Sequence, residues 1–160
     1  MSNPAYGAYG AQDYGGGYWV ARTDGVIGRR LFAYLFDLIV VAILTVLFGF
    51  LIGVAGVLTF GLGWALYAVL VPGTFLIYNG LTVGGAAQGT IGMRIVGLRA
   101  IDAVSGGSVG FLMAVAHALL FYLGAGTFLL LVCDIVIGMA RSDRRLGHDL
   151  LTGVLLIRRG

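Results

Sequence analysis

The sequence predicts an all-α integral membrane protein. It has two full transmembrane helices, a bent or broken C-terminal apolar helix pair, and a small cytoplasmic β-hairpin-like element. Three observations carry this fold class. Of 160 residues, 59% are hydrophobic and 11% charged, where a soluble domain carries about a quarter charged residues. Apolar runs recur at the length of a bilayer crossing, roughly 20 residues. The arginines sit in short clusters beside those runs, as they do at cytoplasmic membrane flanks. One domain fits this length, and the net charge of +3 is better explained by membrane flanks than by nucleic acid, which is not expected as a partner.

Residues 1–24 read as a flexible, Gly/Tyr-rich cytoplasmic tail, with neither helical nor strand periodicity. Tyr6, Tyr9, Tyr14 and Tyr18 fit a solvated or interfacial tail better than a stacking surface. The stretch has no basic n-region and no apolar h-region, so the first membrane helix is expected to do the targeting. Residues 25–160 form the transmembrane domain.

The first span is expected over residues 27–52, apolar except for Arg29, Arg30 and Asp37. Gly49 and Gly53, four apart, permit close backbone approach. The second span is expected over 57–78, with Trp64, Tyr67 and Tyr78 as interfacial anchors and a kink at Pro72-Gly73. The turn between the spans carries no charge. The positive-inside rule therefore puts the N-terminus in the cytoplasm and that turn outside.

Residues 79–110 form the longest stretch between spans. A short amphipathic turn precedes a strand over 96–102, and Gly106-Gly107 provide a hairpin-type turn. Arg94 and Arg99 hold this stretch on the cytoplasmic side. A second strand over 154–159 is expected to pair with the first.

The apolar run over 111–140 is broken near Gly124-Ala125-Gly126. A single tilted helix would carry Arg141, Arg144, Arg145, Arg158 and Arg159 outside, a heavy violation of the charge rule. Two helices bent at the glycines return them to the cytoplasm, at about 23 Å each. Such short helices persist where protein covers their ends. The bent pair is the expectation.

Three segments together, "RLFAYLFD", "QGTIGMRIVGLRAID" and "RRLGHDLLTGVLLI", resemble the RDD family of small bacterial membrane proteins. The resemblance covers about residues 25–160. It implies that Arg30 opens the first helix, that Asp37 sits inside it, and that Asp149 is the family's second aspartate. Met93 stands where the family often has lysine, so any role of that lysine is lost or passes to Arg94. Some members are described as cation/proton antiporters. The resemblance thus implies a bacterial cytoplasmic (inner) membrane location and a transport function.

Arg30 and Asp37, seven residues apart, share a helix face about 10 Å apart along the axis, with Tyr34 between them to bridge. An unpaired aspartate at the bilayer centre costs about 2.5–3.5 kcal/mol on insertion scales, so Asp37 should face the bundle. Two readings compete. In one, Asp37 exchanges a proton for a cation, with Asp134 as its second carboxylate. In the other, Arg30, Asp37 and Asp149 form a structural clamp: Asp37 pairs with Arg94, Arg144 or Arg145, and Asp149 holds the C-terminal segment in the same way.

His117 reads as a packing histidine rather than a proton relay. His148 is expected to orient Asp149 or cap a turn, and the single Cys133 to pack in its apolar run. No metal-ligand cluster or Ser/His/Asp arrangement has suitable spacing, and "GGAAQG" lacks the Lys-Ser/Thr of a phosphate loop. No enzyme, catalytic residue, metal or cofactor is expected.

The function expected is a small, cation/proton-coupled transporter; its alternative is a non-transporting accessory or scaffold protein that docks a partner. The expected partners are the lipid bilayer and either a homo-oligomer or a partner membrane subunit.

Overall fold

The computed structural model describes residues 23–159. Most of the Gly/Tyr-rich tail, with its four tyrosines, lies outside the described residues. Helix α1 spans Val26–Leu58, about 50 Å at 1.5 Å per residue. It is longer than the 27–52 expected, because apolar residues continue past Ile52 without a breaker. Thr59 then ends it: its hydroxyl donates to Ala55 O at 2.7 Å and accepts the Gly63 amide at 2.8 Å.

The second span comprises a 3₁₀ segment, Leu62–Val69, followed by α2, Leu70–Val83. The 3₁₀ segment folds back on α1. Tyr67 OH donates to Gly49 O at 2.7 Å, and Trp64 Nε1 donates to Gly53 O at 3.4 Å. Gly63 lies against the Gly56 backbone with no room for a side chain. The glycine face of α1 therefore serves packing within the chain, and these aromatics reach back to it. Pro72 occupies the first turn of α2, where its missing donor costs little. The change of helix type just precedes it.

Helix α3, Ile91–Ile95, crosses α1 where Gly92 meets the Ala33 backbone. Strand β1, Leu98–Asp102, pairs antiparallel with β2, Val154–Arg158, with Leu98 opposite Arg158 and Asp102 opposite Val154. Alternate residues point to opposite faces. Leu98, Ala100, Val154 and Leu156 pack with Val26, Ala33, Met93 and Ala114, while Ile101, Leu155 and Ile157 form a second cluster. Gln88 ties the loops around the sheet: its amide oxygen accepts the Val109 N–H and its carbonyl accepts the Ala100 N–H.

Helices α4, Phe111–Ala125, and α5, Phe128–Ala140, are bent by 119° at the break between them. The bend falls at the glycines, as the charge pattern required. Both legs return to one place, because Asp134 of α5 and His117 of α4 each approach His148. Helix α6, Gly147–Thr152, carries His148 and leads into β2. Large apolar side chains along α1, α2, α4 and α5 are exposed, which suits hydrocarbon and not water.

Candidate functional site

Asp37 lies about 16 Å along α1 and is buried, 9% exposed. Its Oδ1 accepts from Tyr78 OH at 2.6 Å and from the Gly92 amide at 2.8 Å; Oδ2 accepts from Thr90 Oγ1 at 2.6 Å. The other two amides of the first turn of α3 are met nearby. Ile91 N–H donates to Tyr78 OH at 2.9 Å, and Met93 N–H to Thr90 Oγ1 at 3.0 Å. The first amides of any helix lack partners within it, and hydrocarbon supplies none. Asp37, inside the apolar segment, caps that helix.

This corrects the expectation of an arginine partner for Asp37. Arg94 is exposed on α3 and makes no ion pair among the described residues. Arg144 donates to Met139 O at 2.8 Å, while Arg145 donates to Val154 O at 3.2 Å and Asp149 O at 3.0 Å. Backbone carbonyls take these guanidinium groups. Tyr34 does not bridge Arg30 and Asp37 either; its ring meets Phe121 edge-on at 5.6 Å.

Arg30 instead reaches Asp149, with Nη1 2.5 Å from Oδ2. That oxygen also accepts the Leu146 amide at 2.9 Å. The pair joins the first turns of α1 to α6 and brings together two members of the alternative Arg30/Asp37/Asp149 clamp, without Asp37. Asp149 is fully buried. Burial, the largest single influence, pushes its carboxyl up, but the Arg30 guanidinium, the two neighbouring histidines and the Leu146 amide together outweigh it and hold the carboxyl below the usual range.

Asp134 has His148 as its partner. Its Oδ1 accepts the His148 amide at 2.9 Å, and its Oδ2 lies 2.7 Å from His148 Nδ1. It caps α6 from α5, as Asp37 caps α3 from α1. His148 both orients toward Asp149, Nε2 to Oδ1 3.4 Å, and is held by Asp134. His117, expected only to pack, enters the same cluster: Nε2 lies 3.7 Å from Asp149 Oδ1, and Nδ1 3.1 Å from Thr152 Oγ1. Sequence spacing showed no metal-ligand cluster, yet folding gathers His117, His148 and Asp149 with one ligand atom of each within 4.8 Å of the others. Residue 117 lies 31 positions from 148, too far for a spacing motif.

Two cavities flank these groups. One, about 120 Å³, is lined by Arg30, Asp37, Thr90, His117 and His148 among others. The other, about 340 Å³, runs between α1, α2 and α4. Tyr34, Asp37, Phe75 and Phe121 line both.

Tyr78, Thr90 and Gly92 were not singled out as site residues from the sequence. The signal for them is the "GT-IGM" step, a threonine N-cap before a short helix. No curated protein and no solved structure matches the chain. A sequence model of the RDD family matches residues 25–153, a span that holds Arg30, Asp37 and Asp149 and every membrane helix described above. The chain belongs to the RDD family.

Proposed function

We propose that this membrane protein is a small cation/proton-coupled carrier, with Asp37 at the exchange point. The observation that carries the reading is the placement of Asp37 in the walls of both cavities. A carboxylate offers about four lone-pair positions. Three are used, two on Oδ1 and one on Oδ2, which leaves one for a proton or a cation. The Tyr78 and Thr90 hydroxyls can turn to accept when Asp37 is protonated. The arginine clusters support a bacterial inner-membrane orientation with the sheet and both termini cytoplasmic. So few spans suit an oligomer or a partner subunit that completes the path.

Proteoliposomes carrying an internal pH dye test this. Adding Na⁺, Li⁺ or K⁺ should release protons from wild-type vesicles and not from Asp37→Asn vesicles. Folded wild type that moves no protons with any of these ions refutes the carrier.

A second reading, a non-transporting accessory protein that docks a partner, draws on one specific observation. Both intramembrane carboxylates, Asp37 and Asp134, cap short helices at the membrane face. That role needs no ion movement, and it leads if the flux is absent.

A further inference from the structure

Three acceptor atoms converge at the buried junction of α4 and α6. Asp149 is fully buried, and its Oδ1 has no hydrogen-bond partner. His148 Nε2 faces that oxygen at 3.4 Å and His117 Nε2 at 3.7 Å.

The outer nitrogens fix the tautomers. His148 Nδ1 lies against Asp134 Oδ2 at 2.7 Å. An ionised carboxylate only accepts, so Nδ1 carries a proton, and in the neutral ring the lone pair is on Nε2. Thr152 Oγ1 spends its hydrogen on His148 O at 2.8 Å. It therefore accepts from His117 Nδ1, which leaves the lone pair of His117 on Nε2 as well.

Two imidazole lone pairs and a carboxylate oxygen thus gather within 4.8 Å of one another, and neither ring nitrogen facing Oδ1 carries the hydrogen that would bond it. An imidazolium there would close to about 2.7–2.9 Å; neither ring does. The two separations from Asp149 Oδ1, 3.4 and 3.7 Å, suit a metal ion instead. Tetrahedral bonds of about 2.0–2.1 Å place ligand atoms roughly 3.3 Å apart. Each imidazole is also held through its far nitrogen, by a carboxylate and by a hydroxyl, the outer support that metal-bound histidines have. Both histidines line the 120 Å³ cavity, from which a water can supply a fourth ligand. Arg30 occupies the other oxygen of Asp149, so the carboxylate bridges guanidinium and metal.

We propose that His117 Nε2, His148 Nε2 and Asp149 Oδ1 bind one divalent transition-metal ion of the zinc class. The set is two nitrogens and one oxygen, borderline in softness, which suits zinc or cobalt and not calcium or magnesium. This site binds metal whether or not the protein carries ions, so it stands apart from the carrier reading.

The test uses purified full-length protein in detergent, stripped with chelator. Added Co²⁺ should give a tetrahedral visible spectrum at one ion per chain, and Zn²⁺ should displace it. Zn²⁺ affinity should fall about 10–100-fold in Asp134→Asn and in Thr152→Val, and one-per-chain binding should vanish in His117→Ala. Asp143→Asn, at an exposed ion pair, should bind as wild type does. X-ray absorption of the wild-type zinc form needs no variant and should show two imidazole nitrogens and a carboxylate oxygen. Absence of one-per-chain binding in folded wild type overturns the site. So does a ligand shell without two imidazoles, or full binding in a folded His117→Ala protein.

Discussion

The Asp37 carboxylate of α1 accepts the Gly92 amide of α3 at 2.8 Å, across 55 residues of sequence. One oxygen of a membrane helix thereby satisfies the open end of a short helix packed against it. Asp37→Ala leaves that amide, the Thr90 hydroxyl and the Tyr78 hydroxyl without their acceptor. Caps are worth about 0.5–2 kcal/mol and each buried unsatisfied group costs about 1–3. The variant should lose at least about 3 kcal/mol in detergent unfolding, whereas Asp143→Ala at the exposed Arg141 pair should lose under about 1. Equal losses would contradict the capping role.

Gly92 has no space for a side chain, because the Ala33 carbonyl and the Asp37 carboxyl stand where its Cβ would be. Gly92→Ala should cost about 1–3 kcal/mol by overpacking. Gly124, on the open side of α4, has nothing within 4 Å, so Gly124→Ala should be neutral or gain up to about 1 kcal/mol. Thermal unfolding of the two proteins compares them directly.

Asp102 closes the turn after β1, where Oδ1 accepts from Ser105 N–H, Ser105 Oγ and Val104 N–H at 2.7–3.0 Å. The Ser105 amide, against a smaller opposing effect of burial, holds its carboxyl below its ordinary value of 3.8. A depressed folded-state value stabilises above the unfolded one and is lost as pH falls through the folded one. The turn should therefore loosen only below about pH 4. Carbon-detected NMR of Asp102 should show a midpoint below 3.8; a midpoint above it would remove the turn's acid sensitivity.

The orientation of the chain is tested by labelling. In a Cys133→Ser background, an impermeant maleimide should reach Leu62→Cys from outside intact cells. Ser108→Cys should react only after permeabilisation. Both positions are exposed, so reversed labelling would invert the proposed topology.

What was legible in the sequence was whatever depends on composition and spacing along the chain. The apolar runs located α1, and the glycines at 124 and 126 located the bend. Residues 96–102 and 154–159 contained both paired strands, with ends trimmed by two residues and one. Asp37's partners were hidden for a physical reason. Two hydroxyls and a backbone amide hold it, and an amide has no side-chain signature to search for. Arginine, the obvious counter-charge, drew attention to Arg94, Arg144 and Arg145 instead. The His117–His148–Asp149 cluster was hidden because 31 positions separate 117 from 148 and only the tertiary contact of α4 with α6 brings them together. His148-Asp149 at the start of α6 was the visible half.

The central claim is that Arg30 and Asp149 lock the first turns of α1 to α6, and a double-mutant cycle tests it most directly. Unfolding free energies would be measured in chelator-treated detergent samples of wild type, Arg30→Met, Asp149→Leu and the double variant. Each single change leaves a buried charge unpaired and should cost about 3–5 kcal/mol. The double variant should cost at least ~1.5 kcal/mol less than the sum, within the range of directly contacting pairs. Losses that add to within about 0.5 kcal/mol, as for distant sites, would contradict the lock.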